Sequence, residues 1–260
     1  MTSTLLPESL YQKCLDCLRK SRDLDFVVKD SIPIPYFGDI EAFLGSPKKI
    51  VTAALNPSNV EFVNRGGARF DVAAGLADAA GLEATLSHYF KFNPYSKWFR
   101  SFEPVLNGLG ASYGGKISNA GYAATALHLD LCTPIATHPT WSRLTKEMQE
   151  ELLGDGQQIF CELIDALKPD MIIASVGEKH IRPLRDIFAE NSSWEEVVIF
   201  RTTQSGAPFR APLRVKKRAM RPMEGHRPFF INGTAANTPF GRFSTERKFE
   251  VGSILQGFLS

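Results

Sequence analysis

Five short runs rich in apolar and β-branched residues punctuate the chain, and helix-patterned stretches separate most of them. The runs are KIVTAAL (49–55), TALHLDLC (125–132), MIIASV (171–176), EEVVIFRT (195–202) and PFFIN (228–232). Strands with helices between them cannot be joined by tight turns, so they pair in parallel through crossovers. This alternation predicts an α/β fold, a three-layer α/β/α sandwich around a mostly parallel sheet. Helices are expected over 7–22, 72–91, 94–109, 140–167 with a break at Gly154-Asp155-Gly156, 177–189, and from an N-cap at Ser244 to about 259. The chain has 260 residues, 43% of them hydrophobic, which suits a single domain with a substantial core. The core is placed at about 45–255, preceded by the N-terminal helix 7–22.

In such sheets ligands bind beyond the carboxyl ends of the strands. That rule singles out Asn56-Pro57-Ser58, residues 130–137, the loop after Val176 and the loop after PFFIN. Within TALHLDLCTP, His128 and Asp130 put an imidazole and a carboxylate on one face of an otherwise apolar strand. A buried pair of this kind is seldom a net gain in stability. At the mouth of a parallel sheet it reads as site chemistry. Phosphate-binding glycine loops, dinucleotide fingerprints, nucleophile elbows and zinc-binding H-E-x-x-H motifs are all absent from the sequence.

Charge is uneven. Between Arg201 and Lys248 eleven Lys and Arg face two acids, so that segment carries +9 and the rest −7 of a total of +2. A basic stretch on a nearly neutral chain points to a polyanion. No apolar run is long enough to span a bilayer, and the N-terminus lacks a basic region followed by an apolar one. A cytoplasmic monomer is the expectation.

A strand ends in a short Asn-Pro motif (Asn56-Pro57-Ser58), an aromatic follows (Phe70), and a middle strand carries a polar residue (Asp130 or His128). A KPD–strand–Gly unit (168–177) follows, and a last strand opens into a Pro-containing loop (Thr238-Pro239-Phe240). Taken in order, these features resemble the uracil-DNA glycosylase superfamily. The resemblance implies a central, mostly parallel four-stranded sheet, to which 208–218 and 227–232 add a basic β-hairpin. It also implies a monofunctional enzyme that flips a base from DNA and hydrolyses its N-glycosidic bond, leaving an abasic site. It places Asn56 as the residue that positions water and Phe70 as the base-stacking ring, with Phe62 competing. Ser58, His128 and Asp130 fall in the substrate pocket. The family's His-Pro-Ser core is missing from the last loop, so Asn237 is the candidate stabiliser of the leaving base, with His128 as alternative. Phe240 is the expected wedge, and Arg210, Lys216, Lys217, Arg218 and Arg242 the expected phosphate contacts. No lysine stands in the two main motifs, which excludes a Schiff-base mechanism there.

An ionised carboxylate accepts hydrogen bonds and donates none, so Asp130 suits the exocyclic amine of cytosine better than uracil. Superfamily members include an antiviral glycosylase that removes glucosylated hydroxymethylcytosine from phage DNA. By that likeness the substrate is a modified cytosine, with Gly66-Gly67-Ala68 leaving room for a substituent, in anti-phage defence or base excision. The alternatives are a uracil or mismatch repair glycosylase and a non-catalytic binder of DNA or a nucleoside on the same fold. Cys14, Cys17, Cys132 and Cys161 echo the ligands of the superfamily's iron–sulfur members. However, Cys14 and Cys17 share the apolar face of a helix and Cys161 sits in a helical apolar pattern, so no cofactor is expected and a cluster is the lesser alternative.

Overall fold

The structure is a computed structural model describing residues 4–63, 67–118 and 120–259. Its strands are β1 (Ile50–Ala54), β2 (Ala111–Ser112), β3 (Ala124–Thr125), β4 (Leu127–Asp130), β5 (Met171–Ala174), β6 (Glu195–Thr202), β7 (Pro208–Ala219) and β8 (Phe229–Gly233). The helices are α1 (Glu8–Ser21), α2 (Ile40–Gly45), α3 (Val72–Ala77), α4 (Ala79–Ser87), α5 (Ser96–Phe99), α6 (Glu103–Gly108), α7 (Lys146–Leu167), α8 (Glu178–Ile181) and α9 (Thr245–Gln256).

Six strands form the central sheet in the order β4-β1-β5-β8-β7-β6. The first four are parallel, with helices connecting β1 to β4 and β4 to β5, whereas β8 follows β7 through a turn, and β8-β7 and β7-β6 are antiparallel. The sheet is therefore six-stranded rather than four-stranded. The basic hairpin is not an appendage: β7 pairs with β8 along one side and β6 along the other, which makes it part of the sheet. Strands β1, β4 and β5 are buried along nearly their whole length, as both-face burial of a parallel core requires. The outer side of β4 is covered by an earlier segment, where Phe37 and His128 exchange backbone hydrogen bonds of 2.8 and 3.1 Å. That cover removes an open sheet edge. Helix α1 packs on α4 and α7, and α9 packs on α6.

Several helices differ from the expected spans for local reasons. The stretch 72–91 divides because the extended Asp78 caps a new helix, its carboxylate accepting from Gly81 N at 2.8 Å. Helix α7 starts at a Thr145 cap and runs unbroken through Gly154-Asp155-Gly156. There Gly156 serves packing rather than a break. The expected helix after Gly177 is one short turn, since Pro183 interrupts it. Ser244 does cap α9, accepting from Arg247 N at 3.3 Å. Among the described residues no helix is long and apolar enough to cross a membrane.

Candidate functional site

Among the four parallel strands the chain order is reversed between β1 and β5, so the crevice lies beyond the carboxyl ends of these strands. Strand β1 exits into Asn56-Pro57-Ser58. The Asn56 amide donates to Ile135 O at 3.2 Å and Thr137 Oγ1 at 2.9 Å, which ties the turn to the loop after β4. Its Oδ1 accepts from no described residue and is left to solvent. Ser58 joins the same loop through a backbone bridge to Thr137. Its hydroxyl makes no side-chain contact that assigns it a role.

The register of β1 with β4 pairs Thr52 with His128 and Ala54 with Asp130. Both polar side chains of β4 therefore share a face, and Asp130 stands nearer the strand's carboxyl end. The face is dry. The side chains of His128 and Asp130 are 2% and 3% exposed. His128 sits among Phe37, Trp98, Phe99 and Phe102, with ring centroids 4.9–5.9 Å away. Its Nδ1 meets Thr52 Oγ1 at 2.8 Å, and Thr52 in turn bonds the Tyr113 hydroxyl. This burial removes His128 from contact with a base and leaves it behind Asp130. Its Nε2 lies 3.7 Å from Asp130 Oδ1, too far for a hydrogen bond. Asp130 Oδ1 is buried with no hydrogen-bond partner among the described residues. Burial raises the Asp130 carboxyl above its ordinary range, and His128 only partly offsets this.

Next to these residues lies an aromatic stack. Phe70 stacks on Phe62 (5.5 Å) and on Tyr89 (5.0 Å) and is 5% exposed. Two partners leave Phe70 little ring surface for a base. Phe62, only partly buried, is the outer ring and the better placed of the two candidates. Both line a cleft of about 1050 Å³ with Glu61, Arg69 and His88. Ala68 lines it too, while Gly66 lies outside the described residues. Glu61 belongs to the 3₁₀ turn Asn59–Glu61 directly after the Asn-Pro-Ser exit. It is buried, it accepts from the Tyr89 hydroxyl at 2.5 Å, and burial pushes it up to about 7. Sequence reasoning missed Glu61. The only signal was an acid amid the apolar residues of NPSNVEF.

The loop after β8 is anchored rather than free. Asn232 clamps Val176 with two hydrogen bonds of 3.1 and 3.0 Å. Ser175 Oγ donates to Thr234 O and accepts from Phe240 N, each at 3.0 Å. Phe240 is fully buried against Phe102 and Phe243, so it is not a wedge in this conformation. Asn237 is exposed, and no hydrogen bond links it to Asn56 or Asp130. Of the phosphate candidates, Lys216 pairs with Glu178 at 3.1 Å and Lys217 with Glu195 at 3.0 Å. Arg218 lies over the Phe188 ring at 4.1 Å. These three are half-buried and engaged, whereas Arg210 and Arg242 are exposed and make no ion pair with a described residue.

The four cysteines are free and do not cluster. Cys14 and Cys17 lie in the interior on α1, and burial raises their thiols. Among the described residues no three His, Cys, Asp or Glu side chains form a group that could hold a metal. Among the described residues the four cysteines of the iron–sulfur alternative are not brought together. No protein-family model matches the chain, and no curated protein matches it.

Proposed function

We propose that this chain is a DNA glycosylase that reads an amino-bearing base, a modified cytosine, and hydrolyses its N-glycosidic bond. The observation that carries the reading is Asp130 Oδ1, a buried acceptor with no donor among the described residues, at the carboxyl end of β4 and paired in register with Ala54, two residues before Asn56. Such a group costs about 1–3 kcal/mol. A fold that retains it is built for a ligand that supplies the donor, and the exocyclic amine of cytosine is one. The four parallel strands within the larger sheet, with Asn-Pro at the end of the first, support the likeness to the uracil-DNA glycosylase superfamily. In this reading Asn56 Oδ1 orients water, Phe62 stacks the base, and Arg210 and Arg242 meet phosphates.

An abasic-site assay tests this on unmodified, uracil-containing, hydroxymethylated and glucosylated DNA. Wild type is expected to act on a modified-cytosine DNA, and Asp130→Ala to act about a hundredfold more slowly. Action on uracil DNA alone refutes the amino-base reading, and four intact DNAs refute the glycosylase. The buried Phe240 favours a second reading, a non-catalytic binder of DNA or a nucleoside on this fold. It predicts salt-dependent binding with no abasic product.

A further inference from the structure

An amide can orient a water but is no base near neutral pH, so Asn56 leaves the hydrolysis without a group to take the water's proton. His128 is walled off by four aromatic rings. Glu61 is buried too, but it lines the cleft, and only one of its carboxylate oxygens is engaged by a described residue. It sits in the 3₁₀ turn directly after the Asn56-Pro57-Ser58 exit and lines the cleft beside Phe62, near enough to Asp130 to feel its charge, while Asn56 and Asp130 are not in that cleft's lining. Its Oε2 is held at 2.5 Å by the Tyr89 hydroxyl, which is itself fixed by a 2.9 Å hydrogen bond from Tyr95 N. Its other oxygen receives no hydrogen bond from a described residue.

We propose that Glu61 is the general base of this site, taking a proton from the water that attacks the sugar's anomeric carbon. The assignment rests on the glycosylase reading. As the water's oxygen bonds to C1′, its proton passes to the Glu61 carboxylate. The C1′–N bond breaks with its electron pair going to the base nitrogen. Glu61 then gives its proton to the departing base, directly or through solvent, and returns to carboxylate. Orientation by Tyr89 keeps the carboxylate in one pose, which is what positions a proton acceptor within reach.

The groups acting on Glu61 come from several elements. Tyr89 donates to it, Arg69 stabilises its charge, and Asp130 opposes that charge from β4. Arg69 is held by hydrogen bonds to Val60 O and Asn93 O. Lys29, Asp30, Asp71 and His88 stand around the same cleft. Burial dominates and brings Glu61 to about 7, so both protonation states are populated at neutral pH, as suits a base that must also release its proton.

The test is Glu61→Gln, which keeps the volume and an oxygen for Tyr89 while abolishing basicity. The kcat of abasic-site formation is expected to fall about 10²–10⁴-fold with KM little changed, and the rise of rate with pH near 7 to vanish. Tyr89→Phe removes a hydrogen bond that favours the ionised carboxylate, so the rise is expected to move to higher pH. A Glu61→Gln rate within threefold of an active wild type, or an unchanged pH rise in both variants, overturns the proposal and leaves the glycosylase reading intact. A wild type that makes no abasic sites overturns both.

Discussion

At the carboxyl end of β1 and β4, Asp130 and Glu61 are buried carboxyls raised above their ordinary range, and Asp130 Oδ1 has no hydrogen-bond partner among the described residues. At the far edge of the sheet, β6 and β7 carry a dense set of charges, and three of their basic side chains meet acids. Lys217 meets Glu195 at 3.0 Å and lies over Phe229 and Phe258, Arg214 pairs with Glu196, and Lys216 pairs with Glu178. The edge with more charge is the electrostatically quieter one. Solvated, paired charges contribute little to stability, whereas an unpaired buried carboxyl costs enough that folds seldom keep one without a use. The contrast separates a counted excess of charge from a site, and it can be broken at three levels.

The largest effect is expected where backbone meets backbone behind the site. A Cβ at Gly156 of α7 would stand 2.0 Å from the Cys132 carbonyl oxygen and 2.6 Å from Thr133 Cα, in the turn that leaves β4 just past Asp130. Gly156→Ala is expected to cost about 3 kcal/mol or more, a melting point lower by about 6–12 °C. A shift below about 2 °C in a thermal melt means the turn yields, and the site end is not rigid.

The second effect concerns Glu61. Folding raises its carboxyl from the ordinary 4.5 to about 7, so the native state holds the proton more tightly than the unfolded chain. The stabilisation is complete below about 4.5 and is lost as pH climbs to about 7. Glu61→Gln carries no such pH-dependent loss. It is therefore expected to match wild type at pH 4 and to exceed it by about 3 kcal/mol at pH 8. Urea unfolding at the two pH values measures this, and an equal difference at both rules out the buried-carboxylate account. Gained stability with lost activity is the signature of a residue kept for function.

The strand runs, Asn56 at the end of β1 and Asp130 at the end of β4 were legible because period-two patterning and the carboxyl-edge rule act over a few neighbouring residues. What was not legible depends on contacts distant in sequence. Phe70 and Tyr89 fold down over residues 61–62, and only that stack turns Glu61 from a surface acid into a buried one. Phe240 reads as an exposed loop aromatic, yet the Ser175 hydroxyl draws its backbone inward and Gly233 makes room for its ring. The basic run of β7 reads as a polyanion surface because its partners Glu178, Glu195 and Glu196 lie earlier in the chain. His128 and Asp130 could be named as a pair, but their depth follows from the register of Thr52 against His128.

The smallest effects belong to the hairpin edge, and there two arginine and lysine positions should part company. Lys217 is 19% exposed along its side chain, paired with Glu195 and laid over two rings. Its charge is already spent within the protein, so Lys217→Ala is expected to cost about 1 kcal/mol or less of stability, read by urea unfolding. The variant should leave the salt dependence of DNA binding unchanged. Arg210 is exposed on β7 with no ion-pair partner among the described residues, so its charge remains free to displace a counterion from phosphate. Arg210→Ala is expected to leave stability within about 0.5 kcal/mol and to lower the slope of log K against log salt by about 1. A slope that drops for Lys217→Ala and not for Arg210→Ala would mean that DNA breaks the internal pairs of this edge, and the division between a quiet edge and a working one would fail.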